Sequence, residues 1–236
     1  MKFRSKLSTP FMHAGKLAVA AAILPLAALA AGTATLEEDG DIMEVMWQDT
    51  DTARFGQADD DDYMLMQSGK VYLVMHEGGQ QQVLDIGDMA QMFMSFLDED
   101  TLDELMPETL DSIEATGKTE TIAGIKGEVY KISYTTGKGE TEQREAVLTG
   151  DKTVTELTEV ALHTFRTLTA TPELGKFVEE LPKNRRGILR LDDSHTLASI
   201  SSDKPDDSLF ELPGKPQGLQ DLMQGLTEML EQATGN

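Results

Sequence analysis

The sequence contains no cysteine, and several other residue types that enzymes rely on are scarce. Without a thiol the chain forms no disulfide, carries no lipid on a cysteine and offers no thiolate nucleophile. Neither a Gly-x-Ser-x-Gly elbow nor a glycine-rich phosphate loop occurs. Beyond residue 30 the histidines are His76, His163 and His195. We therefore expect no enzyme of these classes and assign no catalytic residue and no cofactor.

Basic residues are few relative to acidic ones. The chain has 20 lysines and arginines against 42 aspartates and glutamates, a net charge of −22. Such a surface repels nucleic acid and anionic lipid headgroups, because binding them requires cationic groups. Nucleic acid is thus excluded as a partner. A solvated acidic surface explains this composition, and a basic partner would also suit it.

No apolar run is long enough to span a bilayer. The longest, residues 17–30, has 14 residues and is broken by Pro25, whereas a helical span needs about 20. Four basic residues precede this apolar run, and the small residues Ala28 and Ala30 lie at its end. This combination predicts a cleavable signal peptide over residues 1–30. We expect an exported periplasmic or secreted protein without an integral membrane span. Its mature net charge would be about −26, since the leader carries four basic residues and no acidic one.

The 206 residues after the leader fit one domain. Residues 31–40 are polar and acidic and predict a flexible linker, followed by an α+β domain over residues 41–213. Residues 214–236 carry leucines at helical spacing and predict a C-terminal amphipathic helix. That helix would dock either on its own sheet or on a partner protein.

A hairpin over residues 62–76 organises the predicted fold. Two β-prone runs flank Ser68-Gly69-Lys70, and glycine in a tight connection is a hairpin signal because it accepts positive φ. Both alternating sets of side chains are largely apolar, so these strands should be covered on both faces. The next strand extends the hairpin to a meander over residues 63–86.

Further elements follow at regular intervals. A helix is predicted to begin near Asp88, and a second at the capping box that runs from Thr153 to Glu156. The second helix has apolar residues at helical spacing on one face, which are Val154, Leu157, Ala161, Phe165 and Leu168. Shorter helices are expected after residues 101 and 171, and an extended piece over residues 208–212. The other predicted strands cover residues 41–48, 52–57, 108–115, 120–123, 127–134, 141–148, 187–191 and 196–201.

Two residue clusters raise the question of a metal site. The acidic run 59–62 could hold a hard cation such as Ca²⁺, although it lacks the ligand alternation of an EF-hand and a solvated turn is favoured. Methionines suit Cu(I), but on one helix Met94 lies about 160° from Met92, so three sulfurs cannot converge. No metal ligand is assigned, and copper remains a third hypothesis. Its candidate ligands are Met64, Met66, His76, Met89, Met92 and Met94.

Two stretches resemble an uncharacterised family of bacterial envelope proteins, a domain of unknown function. The first has Tyr-Met-Leu at 63–65, Gly-Lys at 69–70 and Val-Tyr at 71–72. The second is Ala-Gly-Ile-Lys-Gly-Glu-Val-Tyr at 123–130, and Leu-Phe-Glu-Leu-Pro at 209–213 is similar too. That family looks related to the LolA/LolB lipoprotein-carrier fold. The resemblance implies a strongly curved antiparallel sheet, an unclosed half-barrel, with helices packed in and over its mouth.

The leading hypothesis is a non-enzymatic protein whose half-barrel cups an apolar or lipid ligand. Apolar character on both sides of the strands leaves one side for a helix and the other for a cavity. The alternative is an interaction or stress-response module that binds an envelope protein through its acidic surface and C-terminal helix. The expected ligand lining is Tyr72, Val74, His76, Tyr130, Ile132 and Tyr134.

Overall fold

The computed structural model describes residues 31–38, 40–77, 79–87, 107–136, 138–169, 180–192 and 195–218. In these residues eleven strands form one sheet, and an α-helix lies across it. The helix, α1, spans Lys152–Thr169, and a 3-10 helix spans Asp207–Phe210. The strands are β1 Gly32–Glu38, β2 Asp41–Asp49, β3 Thr52–Phe55, β4 Tyr63–Gln67, β5 Lys70–Glu77, β6 Gln80–Asp85, β7 Pro107–Ile122, β8 Ile125–Thr136, β9 Thr141–Thr149, β10 Gly187–Leu191 and β11 His195–Ser201.

The sheet consists of two antiparallel meanders joined side by side. Its strand order is β6-β5-β4-β3-β2-β1-β11-β10-β9-β8-β7. The junction is the antiparallel pair β1–β11, in which Ala34 faces Ile200 and Glu38 faces His195. Strands β6 and β7 form the two edges, so the sheet does not close. The prediction of a large open antiparallel sheet is confirmed, although the described residues contain only one α-helix.

The sheet is strongly curved at the β7–β8 end. Cα atoms of β7 and β11 approach within 8 Å, whereas four strand spacings in a flat sheet would separate them by about 19 Å. Ile122 and Ile125, which flank the β7–β8 turn, pack against the main core cluster. The hairpin tip therefore rolls back over one face of the sheet, which becomes its concave face.

Helix α1 covers this concave face. Asp151 caps it, since its Oδ1 accepts a hydrogen bond from the backbone N–H of Val154 at 3.1 Å, and the predicted cap at Thr153 is wrong by two positions. A buried stripe that includes Leu157 and Val160 packs on Trp47 and other core residues. The helix crosses the strands and contacts β10, β11, β2 and β5.

Two smaller apolar clusters use the alternate side chains of the strands. One contains Leu65 and Val74 and is covered by Phe210 of the 3-10 helix. The other contains Ile132 and Leu148 with Leu181. The prediction that the β4–β5 hairpin is covered on both faces is confirmed, because Leu65 and its neighbour Met66 are both fully buried in different clusters.

Two of the hairpins with two-residue turns owe their shape to paired positive φ angles. Ser68 and Gly69 have φ of 54° and 71°, and Ala123 and Gly124 have φ of 48° and 78°. Two consecutive positive φ angles give the turn twist that matches two antiparallel strands. The predicted turn at Ser68-Gly69 is thereby confirmed.

Three local predictions are wrong. Residues 31–40 are not a linker, because β1 occupies Gly32–Glu38 and pairs with both β2 and β11. The two strands expected between residues 108 and 123 are one strand, β7, whose register shifts between Ala115 and Thr119 absorb the irregular stretch. The piece at 208–212 is largely a 3-10 helix.

Other predictions fall outside the described residues. These are the leader 1–30, the helices expected near Asp88 and after residues 101 and 171, and the C-terminal helix beyond residue 218. In the described part of the chain, no helix combines the length and the apolar character that a membrane span requires.

Close packing at Gly127 yields the first prediction. A Cβ there would lie 2.5 Å from Val147 Cγ1 and 2.8 Å from Leu189 Cδ1. Gly127→Ala should lower the free energy of unfolding by about 1–3 kcal/mol, measured by urea denaturation. Gly214→Ala is the matched control, because its nearest new contact is 3.8 Å away, and it should change stability by less than about 0.5 kcal/mol. Equal effects of the two changes would contradict the packing described.

Candidate functional site

An apolar cavity of about 440 Å³ lies between α1 and the strands β1, β10 and β11. The size falls in the range of small-molecule sites, and such sites are lined mainly by apolar side chains with few polar ones. Phe165 stands at this cavity and is 40% exposed. The lining residues are Leu36, Glu38, Leu157, Thr158, Ala161, Leu162, Phe165, Ile188, Leu189, Arg190, Leu191, His195, Thr196 and Leu197.

The helix contributes a second stripe beside its core stripe. Thr158, Ala161, Leu162 and Phe165 recur at intervals of three and four residues, which places them on one side of α1. The Thr158 hydroxyl accepts a hydrogen bond from the backbone N–H of Ile188 at 3.0 Å. This bond fixes the helix to β10 and so sets the width of the cavity at that point.

The strand walls come from distant parts of the chain. Leu36 on β1 faces Leu197 on β11 across the junction of the two meanders. On β10 the register shifts between Ile188 and Arg190, so that Leu189 is a bulged residue. Such a bulge re-aims side chains, and Ile188, Leu189 and Arg190 all line the cavity.

Two polar side chains from neighbouring strands, those of Glu38 and His195, lie together at the cavity. Nε2 of His195 lies 2.8 Å from Oε1 of Glu38, and both side chains are about half exposed. The two residues face one another in the β1–β11 ladder. The pair therefore adds polar side chains to a lining that is mainly apolar.

Arg190 adds a second charged group. Its Nη2 lies 2.8 Å from a carboxylate oxygen of Glu145 and 3.1 Å from one of Glu120, and its Nη1 donates to the carbonyl of Asp192 at 2.9 Å. Burial lowers the pKa of Arg190, but hydrogen bonds to Glu145 and Glu120 and their charges outweigh it, so the pKa lies above its ordinary value. The guanidinium stays charged and holds the rolled β7 against β10.

The expected lining residues are not brought together. Tyr72 and Val74 on β5 belong to the cluster that Phe210 covers, whereas Tyr130 and Ile132 on β8 belong to the cluster of Leu181. Seven strands separate β5 from β8 in the sheet. Tyr134 is buried and His76 is exposed. The residues that line the cavity described above include none of the six.

Sequence reasoning found only the helical part of the cavity wall. The apolar stripe of α1 marks Leu157, Ala161 and Phe165 as inward-facing residues by their spacing. The strand residues gave no such signal, since their meeting depends on the β1–β11 pairing across more than 150 residues. Residues of β1 were missed for the further reason that they were expected to form a linker.

A second cavity, of about 570 Å³, lies near the start of α1 and is polar. Lys126, Glu128, Asp151 and Arg185 are among its lining residues. Arg185 lies 3.6 Å from Glu128, which also accepts a hydrogen bond from Tyr130. Asp151 is occupied as the helix cap. Three of the four charged side chains, those of Arg185, Glu128 and Asp151, thus already have partners within the fold. The apolar cavity is therefore the better candidate for a ligand site.

The side chain of Arg54 holds the backbone at the acidic run 59–62. Nη2 of the buried Arg54 lies within 3.4 Å of the backbone carbonyl oxygens of Gln57, Ala58 and Asp60. Its guanidinium also stacks over the ring of Tyr63, 3.5 Å from the centroid. These carbonyls are therefore committed to Arg54, which favours the structural turn over the Ca²⁺ site.

The sulfur ligands proposed for copper are only partly described. Met66 is fully buried, and its sulfur accepts a hydrogen bond from the Thr164 hydroxyl at 3.1 Å. Met64 packs against the same core. Met89, Met92 and Met94 lie outside the described residues, so the copper hypothesis remains a prediction. Among the residues that the structure describes, no three His, Asp or Glu side chains group as metal ligands.

Comparison of the chain with models of known protein families and with curated proteins finds no match.

Arg54 should be a major determinant of stability. Arg54→Met removes a buried cation and leaves three carbonyls without their donor, so the free energy of unfolding should fall by about 2–4 kcal/mol in urea denaturation. Arg144→Met is the control, because Arg144 is 39% exposed and 3.5 Å from Asp192, and it should cost less than about 1 kcal/mol. A similarly small loss for Arg54→Met would refute this role.

Two tyrosines predict a specific response to alkaline pH. Burial, followed by hydrogen bonds to Glu128 and Glu142, raises the pKa values of Tyr130 and Tyr134 above the ordinary value of 10.0. Folding thus favours the neutral phenols, so their contribution is complete below pH 10 and is lost as the pH rises through the folded pKa values. As the pH rises above 10, the free energy of unfolding of Tyr134→Phe should fall with a shallower slope than that of wild type. Identical alkaline slopes would contradict this.

Proposed function

We propose that the protein is a non-enzymatic binder of an apolar ligand, a single alkyl or acyl chain held between α1, β1, β10 and β11. The observation that carries the proposal is the apolar cavity of about 440 Å³ beside α1. A chain of methylene groups gains about 0.8 kcal/mol per buried CH₂ and needs no directional partner. That matches a wall made of leucine, isoleucine and alanine side chains.

The proposal retains the half-barrel hypothesis but assigns the ligand to a different set of lining residues from the six expected from the sequence. The predicted lining residues Val74 and Ile132 are 0% and 2% exposed and belong to separate packed clusters. The cavity instead lies on the concave side, where α1 meets the junction of the two meanders. An open curved sheet with a helix across its concave face is also the architecture that the resemblance to lipoprotein carriers implies.

Export to the periplasm belongs to the same proposal. Its support is the basic and apolar leader 1–30, which lies outside the described residues. A binder of alkyl chains in that compartment would keep an otherwise insoluble ligand out of water. The large negative charge of the chain would keep the loaded protein itself dispersed.

The alternative of a partner-binding C-terminal helix has less support. The segment that precedes it, up to Gly218, returns to its own sheet, since the backbone of Gln217 exchanges hydrogen bonds with Val83 and Asp85 at 2.8 and 2.9 Å. This parallel bridge covers part of the β6 edge. It favours docking of the tail on its own domain.

Filling the cavity tests the proposal. Decanol should bind the wild-type protein saturably at one site, as measured by isothermal titration calorimetry. Ala161→Phe places a ring in the cavity and should weaken decanol binding by at least about tenfold. Thermal unfolding of the variant, followed by circular dichroism, verifies that it is folded.

The matched control is Ile42→Phe, because Ile42 is 65% exposed and does not line the cavity. It should leave decanol affinity unchanged. The absence of saturable decanol binding to wild type, or equal binding by wild type and a folded Ala161→Phe protein, would overturn the proposal.

A further inference from the structure

The ionisable side chains at the apolar cavity already have partners within the fold. Among the described residues that line it, three have ionisable side chains: Glu38, Arg190 and His195. Oε1 of Glu38 lies 2.8 Å from Nε2 of His195. Arg190 is 14% exposed, and its Nη2 lies 3.1 Å from a carboxylate oxygen of Glu120 and 2.8 Å from one of Glu145. The guanidinium is thus neutralised by groups of the protein itself.

These pairs disfavour a ligand with a charge at the cavity. A charged group loses hydration when it enters such a space, and a new partner must offset that loss. An anionic group would compete with Glu120 and Glu145 for Arg190, and an ammonium would compete with His195 for Glu38. Either exchange breaks an interaction that the fold already makes, so its net gain is small. The net charge of −22 opposes an anion further.

The rest of the described lining is uncharged. It consists of nine apolar residues and two threonines, Thr158 and Thr196. The Thr158 hydroxyl donates to the carbonyl of Val154 at 3.0 Å and accepts from the N–H of Ile188 at 3.0 Å. An alkyl chain needs no polar partner on these walls, and a neutral end group loses far less hydration than an ion does.

We propose that the ligand of this cavity is an uncharged lipid: a single alkyl chain that ends in a hydroxyl, an ester or a methyl group rather than in a carboxylate, a phosphate or an ammonium. This inference rests on the proposed function and adds the charge class of the ligand. It separates long-chain alcohols and esters, as ligands, from free fatty acids and alkylamines of the same chain length.

Three probes of equal chain length separate the end group from the chain. Decanol, decanoate and decylammonium are titrated into the full-length mature protein by isothermal titration calorimetry, at neutral pH, in about 0.15 M salt and below the concentrations at which they form micelles. Decanol should bind at least about tenfold tighter than either ion. That order should persist at high salt, because it arises from desolvation at the cavity rather than from long-range attraction.

A double variant tests whether the internal pairing of Arg190 sets this preference. Glu120→Gln combined with Glu145→Gln removes both carboxylates that lie against the guanidinium. The ratio of decanoate to decanol affinity should then rise about tenfold, because the guanidinium becomes available to a carboxylate. Glu145→Gln alone should raise the ratio about threefold. The single variant carries the test if thermal unfolding shows that the double variant does not fold.

The matched control removes two negative charges elsewhere. Glu140 and Glu211 are exposed and do not line the cavity. Glu140→Gln combined with Glu211→Gln should therefore leave the ratio of decanoate to decanol affinity unchanged.

The outcomes distinguish the inference from the proposed function. Binding of decanoate or decylammonium as tightly as decanol would overturn the inference and leave the proposed function standing. An unchanged ratio in the folded Arg190-partner variants, or an equal rise in the control, would overturn it too, because the internal pairing would then not set the preference. Failure of all three probes to bind the folded wild-type protein would overturn both.

Discussion

The pairing of β1 with β11 is the contact on which the rest of the structure depends. It joins a meander of six strands to one of five, and its partners are more than 150 residues apart in the chain. Ala34, Leu36 and Leu197 are apolar residues of this junction that pack in the main core. Only when the two meanders form one sheet can α1 contact β5 and β10 at once.

The cavity follows from the same junction. Helix α1 has 18 residues, or about 27 Å of length, and it crosses strands from both meanders on the concave face. Its core stripe fills the space above Trp47 and Val147, while the side chains of its adjacent stripe line the cavity together with residues of β10 and β11. Arg190 holds the rolled edge strand β7 against β10 through Glu120. The apolar space and the charged side chains beside it are therefore products of one arrangement of the sheet.

Local pattern predicted much of the fold, and contacts between distant segments explain what it missed. Gly69 and the alternation of β4 and β5 specified the first hairpin, and the periodicity of α1 marked Leu157 and Phe165 as inward-facing. Gly32–Glu38 looked like a linker because its composition is polar, although Ala34 is fully buried by two neighbouring strands. The expected lining failed because alternation places Val74 and Ile132 inward but cannot tell a packed cluster from a cavity. Tertiary contacts decide that difference.

The central claim is that an alkyl chain occupies the space under α1. Isotope-filtered NMR between unlabelled decanol and protein with labelled Leu, Ile and Val methyl groups tests it most directly. We expect intermolecular Overhauser effects to methyl groups of Leu162, Ile188 and Leu197, which line the cavity. Effects to Val74 and Ile132 instead, or none to any of these residues at saturating decanol, would contradict the account.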